Sequence, residues 1–145
     1  MGDVIGARTP GWFRAVAALG LLWNGFGVYM YLKSVNLFGD ALAGLDAAHV
    51  ELARSVPGWV TGAFAIAVFA GLLGSLCMVL GKKLASPLLW LSLLAVIVQS
   101  AWIILMSNAR AVEGAMALMM PLVITCVCAL LVWLAGKGAA RGWLD

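Results

Sequence analysis

Long apolar runs broken by short polar stretches set the pattern of this chain. Between Trp59 and Leu80 no residue is charged, and a helix of about 22 residues rises about 33 Å, enough to cross a hydrocarbon core of roughly 30 Å with slight tilt. Pro57-Gly58-Trp59 at one flank supplies a turn and an interfacial indole, and Gly81-Lys82-Lys83 at the other a basic stop. Similar runs at about 13–32, 87–106 and 115–134 predict three further spans. The turn GKKLASP is so short that the second and third spans must form an antiparallel hairpin. The pattern therefore predicts an all-α membrane protein, an antiparallel four-helix transmembrane bundle in one domain covering residues 1–145.

The segment 33–58 is the only substantial loop. Asp46 reads as an N-cap, flanked by Leu45 and Val50 at the two positions of a hydrophobic staple, and a short amphipathic helix from Ala47 to Ser55 should end ahead of Pro57. Leu45, Leu52 and Val56 would rest it on the membrane surface, with Asp46, Glu51 and Arg54 facing water. Its expected role is a capped linker rather than a lid. Pro121 should bend the fourth span and free a carbonyl one turn earlier. A basic residue precedes the first run as in a signal peptide, but the run is too long and no Ala-x-Ala-like site follows Lys33, so retention as an anchor is expected.

Spacing within the runs shows which faces meet. Val60, Ala63, Ala67, Ala70, Gly74 and Cys77 recur at three and four residues, and the stripe Ala63, Ala67, Ala70, Gly74 leaves a nearly bare helix face for a neighbour to approach. The same rhythm joins Ala17, Gly20, Asn24, Gly27 and Tyr31 in the first span, and Ser92, Ala95, Gln99, Trp102 and Met106 in the third. In the fourth it joins Leu118, Pro121, Thr125, Cys128 and Val132. Asn24, Gln99 and Thr125 fall at similar depth and are expected to meet as a midplane polar layer. The layer reads either as a lock, with Asn24 paired to Gln99, or as a site for a small uncharged solute; the lock is the expectation.

Composition and charge narrow the picture further. With 65% hydrophobic and 10% charged residues, against about 45–50% and 25% in soluble domains, the expected environment is the lipid bilayer. The formal charge of +3 is dispersed and points to orientation rather than nucleic acid. Arg8, Arg14, Lys82, Lys83, Lys137 and Arg141 lie on one side, and Lys33, Arg54 and Arg110 on the other. The positive-inside rule thus places both termini in the cytoplasm, with Trp12, Trp90 and Trp133 at that interface and Tyr29, Tyr31, Trp59 and Trp102 at the outer one. The expected location is the bacterial inner (cytoplasmic) membrane.

Candidate chemistry is sparse. Cys77, Cys126 and Cys128 fall inside apolar segments, unlike a disulfide framework or an exchange motif. Met30, Met106, Met116, Met119 and Met120 gather toward the outer leaflet but have no histidine partner, so packing is expected rather than a metal site. His49 stands alone on the loop helix and is expected to be solvated. Within the span cores no acidic, basic or histidine residue occurs, whereas proton-coupled pumps and cation exporters rely on one. No catalytic residue, cofactor site or metal site is expected, and the chain is not expected to be an enzyme.

The segments RTPGWF, LLWNGFGVYMYL, PGWVTGAFAIAVFAGLLGSL, KKLASPLLWLSLLAVIVQ and the closing RGWL resemble a family of small four-span bacterial inner-membrane proteins, common in proteobacteria, of uncharacterised function. Some members carry the label sugar transporter. The resemblance implies an intact four-span protein and brings no catalytic residues with it. Two functions are compatible with the residues. One is helix packing, as an accessory subunit of a larger membrane complex or a homo-oligomeric scaffold; the other is an oligomeric carrier for a small neutral solute such as a sugar or polyol. Reporter fusions check the topology: those after Asp145 and within Lys82-Lys83 should read cytoplasmic, one within residues 40–50 external, and an external carboxyl terminus would refute the charge-based orientation.

Overall fold

The computed structural model describes residues 8–145; the polar lead of residues 1–7 lies outside them. The described residues form six helices: α1 (Gly11–Ser34), α2 (Ala47–Arg54), α3 (Gly58–Leu80), α4 (Ala85–Leu105), α5 (Ala109–Glu113) and α6 (Met116–Ala140). Of these, α1, α3, α4 and α6 are long and apolar enough to cross a membrane, and they form a four-helix bundle. Their outward faces carry Leu19, Leu22, Ile66, Leu73, Leu94, Ile97 and Leu122, all well exposed. In water such a surface drives aggregation, whereas in lipid it is the ordinary solvent face.

The helices follow one another around the bundle, α1 against α3, α3 against α4, and α4 against α6. Small residues on α3 set these distances. At Gly74 an added methyl would lie 2.7 Å from Leu89 Cγ and 3.2 Å from the Leu89 backbone nitrogen, so α4 rests almost directly on the α3 backbone. Ala67, Ala70 and Gly74 are buried and Ala63 half-buried. A second bare face of α3, at Gly71 and Ser75, receives α1, whose Gly27 comes against Val68.

One end of the bundle, bearing the tight α3–α4 turn and the C-terminal tail, is tied shut. α6 continues six residues past the expected end at 134, because Gly138 acts as a contact rather than a stop: an added methyl there would meet the Phe13 ring at 2.7 Å. Gly142, at φ +71°, then turns the chain back, with Trp143 N–H donating to Gly138 C=O and Gly142 N–H to Ala139 C=O. Gly81, at φ +72°, closes α3 the same way through Lys82 N–H to Cys77 C=O. The two turns then bond each other, Lys83 N–H to Asp145 C=O at 2.7 Å and Asp145 N–H to Gly81 C=O at 2.6 Å. Trp143 packs edge-on against Trp12 and Phe13, Leu144 is buried, and Thr9 Oγ1 donates to Trp143 C=O.

At the opposite end, α1 closes on Asn36 at φ +63°, and the Asn36 side chain accepts from Ala41 N–H. α2 is capped by Asp46, which accepts from His49 N–H, and it stops at Arg54, one residue short of the expected Ser55. His49 is solvent-accessible as expected, and its Nδ1 also lies 2.8 Å from Asp46 Oδ1. The backbone and ring of His49 together hold the Asp46 carboxyl below its ordinary pKa. The 107–114 turn contains α5, which had no periodic signal because it is a single turn, and Trp102, expected at an interface, is buried.

Gly74 and Gly62 make a paired test of close packing. Gly74→Ala should lower unfolding stability in detergent by about 1–3 kcal/mol through overpacking against Leu89. Gly62→Ala, where an added methyl meets nothing within 4 Å, should be neutral or raise stability by up to about 1 kcal/mol; thermal denaturation of both variants checks this.

Candidate functional site

α1 and α6 touch only toward the tied end, where Phe13 meets Gly138 and the Leu131 side chain fills the space above Gly20. Farther along they part, and a cleft of about 300 Å³ opens between them. Its floor is α3 and α4, through Ala67, Val68, Ser92 and Val96, and its sides carry Trp23, Phe26 and Met30 from α1 and Met116, Met120 and Ile124 from α6. The walls are apolar with few polar groups, of which Asn24, Ser92, Gln99 and Ser100 lie within the spans and Glu113 on α5. Pro121 also lines the cleft. Lacking an N–H, it leaves the carbonyl of Ala117, another lining residue, without its helical donor.

The structure sorts the three expected polar residues into three situations. Asn24 is buried, and both of its amide hydrogens are engaged, one with Gly20 C=O at 2.9 Å and one with Ser75 Oγ at 3.2 Å. Its partner is therefore Ser75 and not Gln99. Gln99 is half-buried on the cleft wall and makes no side-chain hydrogen bond to another described residue. Thr125 donates to Pro121 C=O on its own helix at 2.7 Å and does not line the cleft. The reason is register: Pro121 and Cys128 are seven apart, so either 124 or 125 fits between them on a helix face, and α6 turns Ile124 inward. The inner face of α6 then runs Pro121, Ile124, Cys128, Leu131, Ala135, Gly138.

Ser75, Gly71 and Ser92 complete the polar lock. A methyl on Gly71 would collide with Asn24 Oδ1 and approach Ser92 Oγ to 3.0 Å, so the glycine is what admits the amide. Ser92 Oγ donates to Ala67 C=O at 2.6 Å, joining α4 to α3. The seam spacing overlooks Gly71 and Ser75, although the pair has the small-xxx-small spacing of close helix contacts and could have been found by it. Every buried side-chain N or O among the described residues has a partner.

A second space of about 570 Å³ lies under the 35–57 loop. This vestibule is lined by Lys33 and Ser34 at the end of α1, Arg54 at the end of α2, Val56 after it, and Val60, Thr61 and Trp102 below. Met30, Phe64, Gln99 and Ile103 line both spaces, so cleft and vestibule adjoin at these four side chains, of which Gln99 is the polar one. Val56, expected on the membrane surface, lines this vestibule, and so does Arg54, which is exposed as expected. No cluster of three metal-ligating His, Cys, Asp or Glu side chains occurs among the described residues.

Ser75→Ala removes one acceptor from the buried Asn24 amide and should lower stability in detergent by about 0.6 kcal/mol, and by no more than about 1.7. The double change Asn24→Leu with Ser75→Ala should cost less than the two single changes together. A strictly additive cycle by chemical denaturation would show that the two side chains are energetically independent.

Comparison with family models, with curated proteins and with solved structures found no match to this chain.

Proposed function

We propose that this chain is a small multi-pass protein of the bacterial inner membrane that acts by non-covalent contact within the bilayer, as an accessory subunit or homo-oligomeric scaffold. Both termini face the cytoplasm on this reading, and the vestibule opens on the outer side, following the distribution of basic residues. The observation that carries it is how the polar groups between the spans are used. Asn24 bonds Ser75 and the Gly20 carbonyl, and Ser92 bonds the Ala67 carbonyl. These bonds commit both amide hydrogens of Asn24 and the hydroxyl hydrogen of Ser92 to holding helices at fixed distance. The broad apolar outer face, with Leu19, Ile66, Leu94 and Leu130 exposed, supports the same reading, since it can meet lipid or another span without desolvating a charge.

A carrier of a small neutral solute is the second reading, favoured by one observation. Gln99 presents an uncommitted amide where cleft and vestibule meet. The cleft lies within a single chain, so the volume for such a site needs no second copy. Its walls suit an apolar molecule better than a polyol, which would need partners for many hydroxyls.

Two measurements separate the readings. In mild detergent the scaffold reading expects a particle larger than one chain, or a co-purifying membrane protein. It also expects Gln99→Leu to leave stability within about 0.5 kcal/mol and particle composition unchanged. A lone monomer that moves a labelled polyol into proteoliposomes, with transport abolished by Gln99→Leu, would replace the scaffold with the carrier.

A further inference from the structure

The cleft and the vestibule together have a chemistry that neither packing nor neutral-solute transport uses. The vestibule lining carries two cations, Lys33 and Arg54, and no carboxylate. Neither cation forms an ion pair among the described residues, where the sole carboxylate contact within ion-pair distance is Asp46 with His49. Each is exposed and sits in the last turn of its helix, α1 or α2, where the helix dipole favours positive charge. The carboxylate of Glu113 lines the cleft but not the vestibule, and Asp40, Asp46 and Glu51 of the same loop region are likewise absent from the vestibule lining.

Beneath these cations the vestibule adjoins the apolar cleft between α1 and α6 across the side chains they share, Met30, Phe64, Gln99 and Ile103. Trp23, Phe26 and Met30 face Met116, Met120 and Ile124 across it, a flexible, polarizable wall suited to a hydrocarbon chain. Its volume of about 300 Å³ stands at the lower end of small-ligand pockets and favours one chain over two. Gln99, at the junction, can donate to an ester carbonyl, the polar group that separates the head of a lipid from its chain.

We propose that cleft and vestibule together bind one single-chain phospholipid with an anionic head group, its acyl chain between α1 and α6, its phosphate at Lys33 and Arg54, and the shared side chains Met30, Phe64, Gln99 and Ile103 around its middle. Arginine offers the phosphate a bidentate fork and lysine a point charge. A zwitterionic lipid adds a positive group beside two cations and is disfavoured. A neutral polyol uses neither the cations nor the hydrocarbon wall.

The test uses the full chain in an uncharged detergent, with bound lipid counted by native mass spectrometry. Lysophosphatidylglycerol should bind one to one and about tenfold or more tighter than lysophosphatidylcholine, as expected from two cations at a membrane surface. The double variant Lys33→Gln with Arg54→Gln should abolish that preference while leaving residual binding of both lipids. Ser100→Phe, at a position that lines the cleft but not the vestibule, should weaken both lipids several-fold and keep the preference; Met120→Trp replaces it if Ser100→Phe does not fold. Equal binding of the two lipids by the unaltered chain would overturn the proposal. A ladder of adducts insensitive to every variant would do so as well, since it marks lipid at the general surface. Protection of the chain against heat by inorganic phosphate alone, equal to that by lysophosphatidylglycerol, would reassign the vestibule to a free anion.

Discussion

Backbone-to-backbone approach at α3 is the constraint on which the rest of the bundle depends. In lipid there is no hydrophobic force between helices, because a lipid tail is as apolar as a leucine, and association has to come from packing and hydrogen bonds. α3 supplies both on two faces. Gly74 lets Leu89 of α4 sit against its backbone, and Gly71 makes room for the Asn24 amide of α1. That amide reaches Ser75, and Ser92 reaches the Ala67 carbonyl, only because the helices are already this close. Steric access and polar pairing thus reinforce each other, and a side chain at either glycine would disturb both.

The bundle is unequal at its two ends for a related reason. Where the tail folds back, backbone N–H and C=O groups of residues 81–83 and 143–145 satisfy each other, and Trp12, Phe13 and Trp143 fill the gap between α1 and α6. The aromatic cluster is completed by Lys137, whose ammonium lies 4.8 Å from the centre of the Trp133 ring. Nothing comparable joins α1 to α6 at the other end. There the chain leaves α1 through a long loop and enters α6 through α5 and Gly114, at φ +63°, and the two helices stand apart around the cleft. The same parting that costs packing contacts creates the space on which a binding role would depend.

Much of this was legible in the order of residues. The absence of charge between Trp59 and Leu80, the shortness of GKKLASP and the Asp46 cap determined four spans, a hairpin and a loop helix, because the bilayer requires every backbone group to be satisfied within its own helix. The small residues Ala67 and Gly74 marked a close face for similar reasons. Tertiary structure alone decided which of several equivalent faces met. A seven-residue step from Pro121 to Cys128 accommodates Ile124 or Thr125, and the rotation of α6 against α4 settled it for Ile124. Asn24 had Gln99 at its own depth, and the approach of α1 to α3 rather than to α4 gave it Ser75 instead, which lies beside Gly20 one turn away. Likewise Gly138 and Leu144 resembled the end of a helix and a loose tail, until Phe13 gave them a surface to pack on. Helical period and bilayer thickness act within one segment and can be read from it, whereas rotation about a helix axis depends on the neighbour's shape, which no single segment contains.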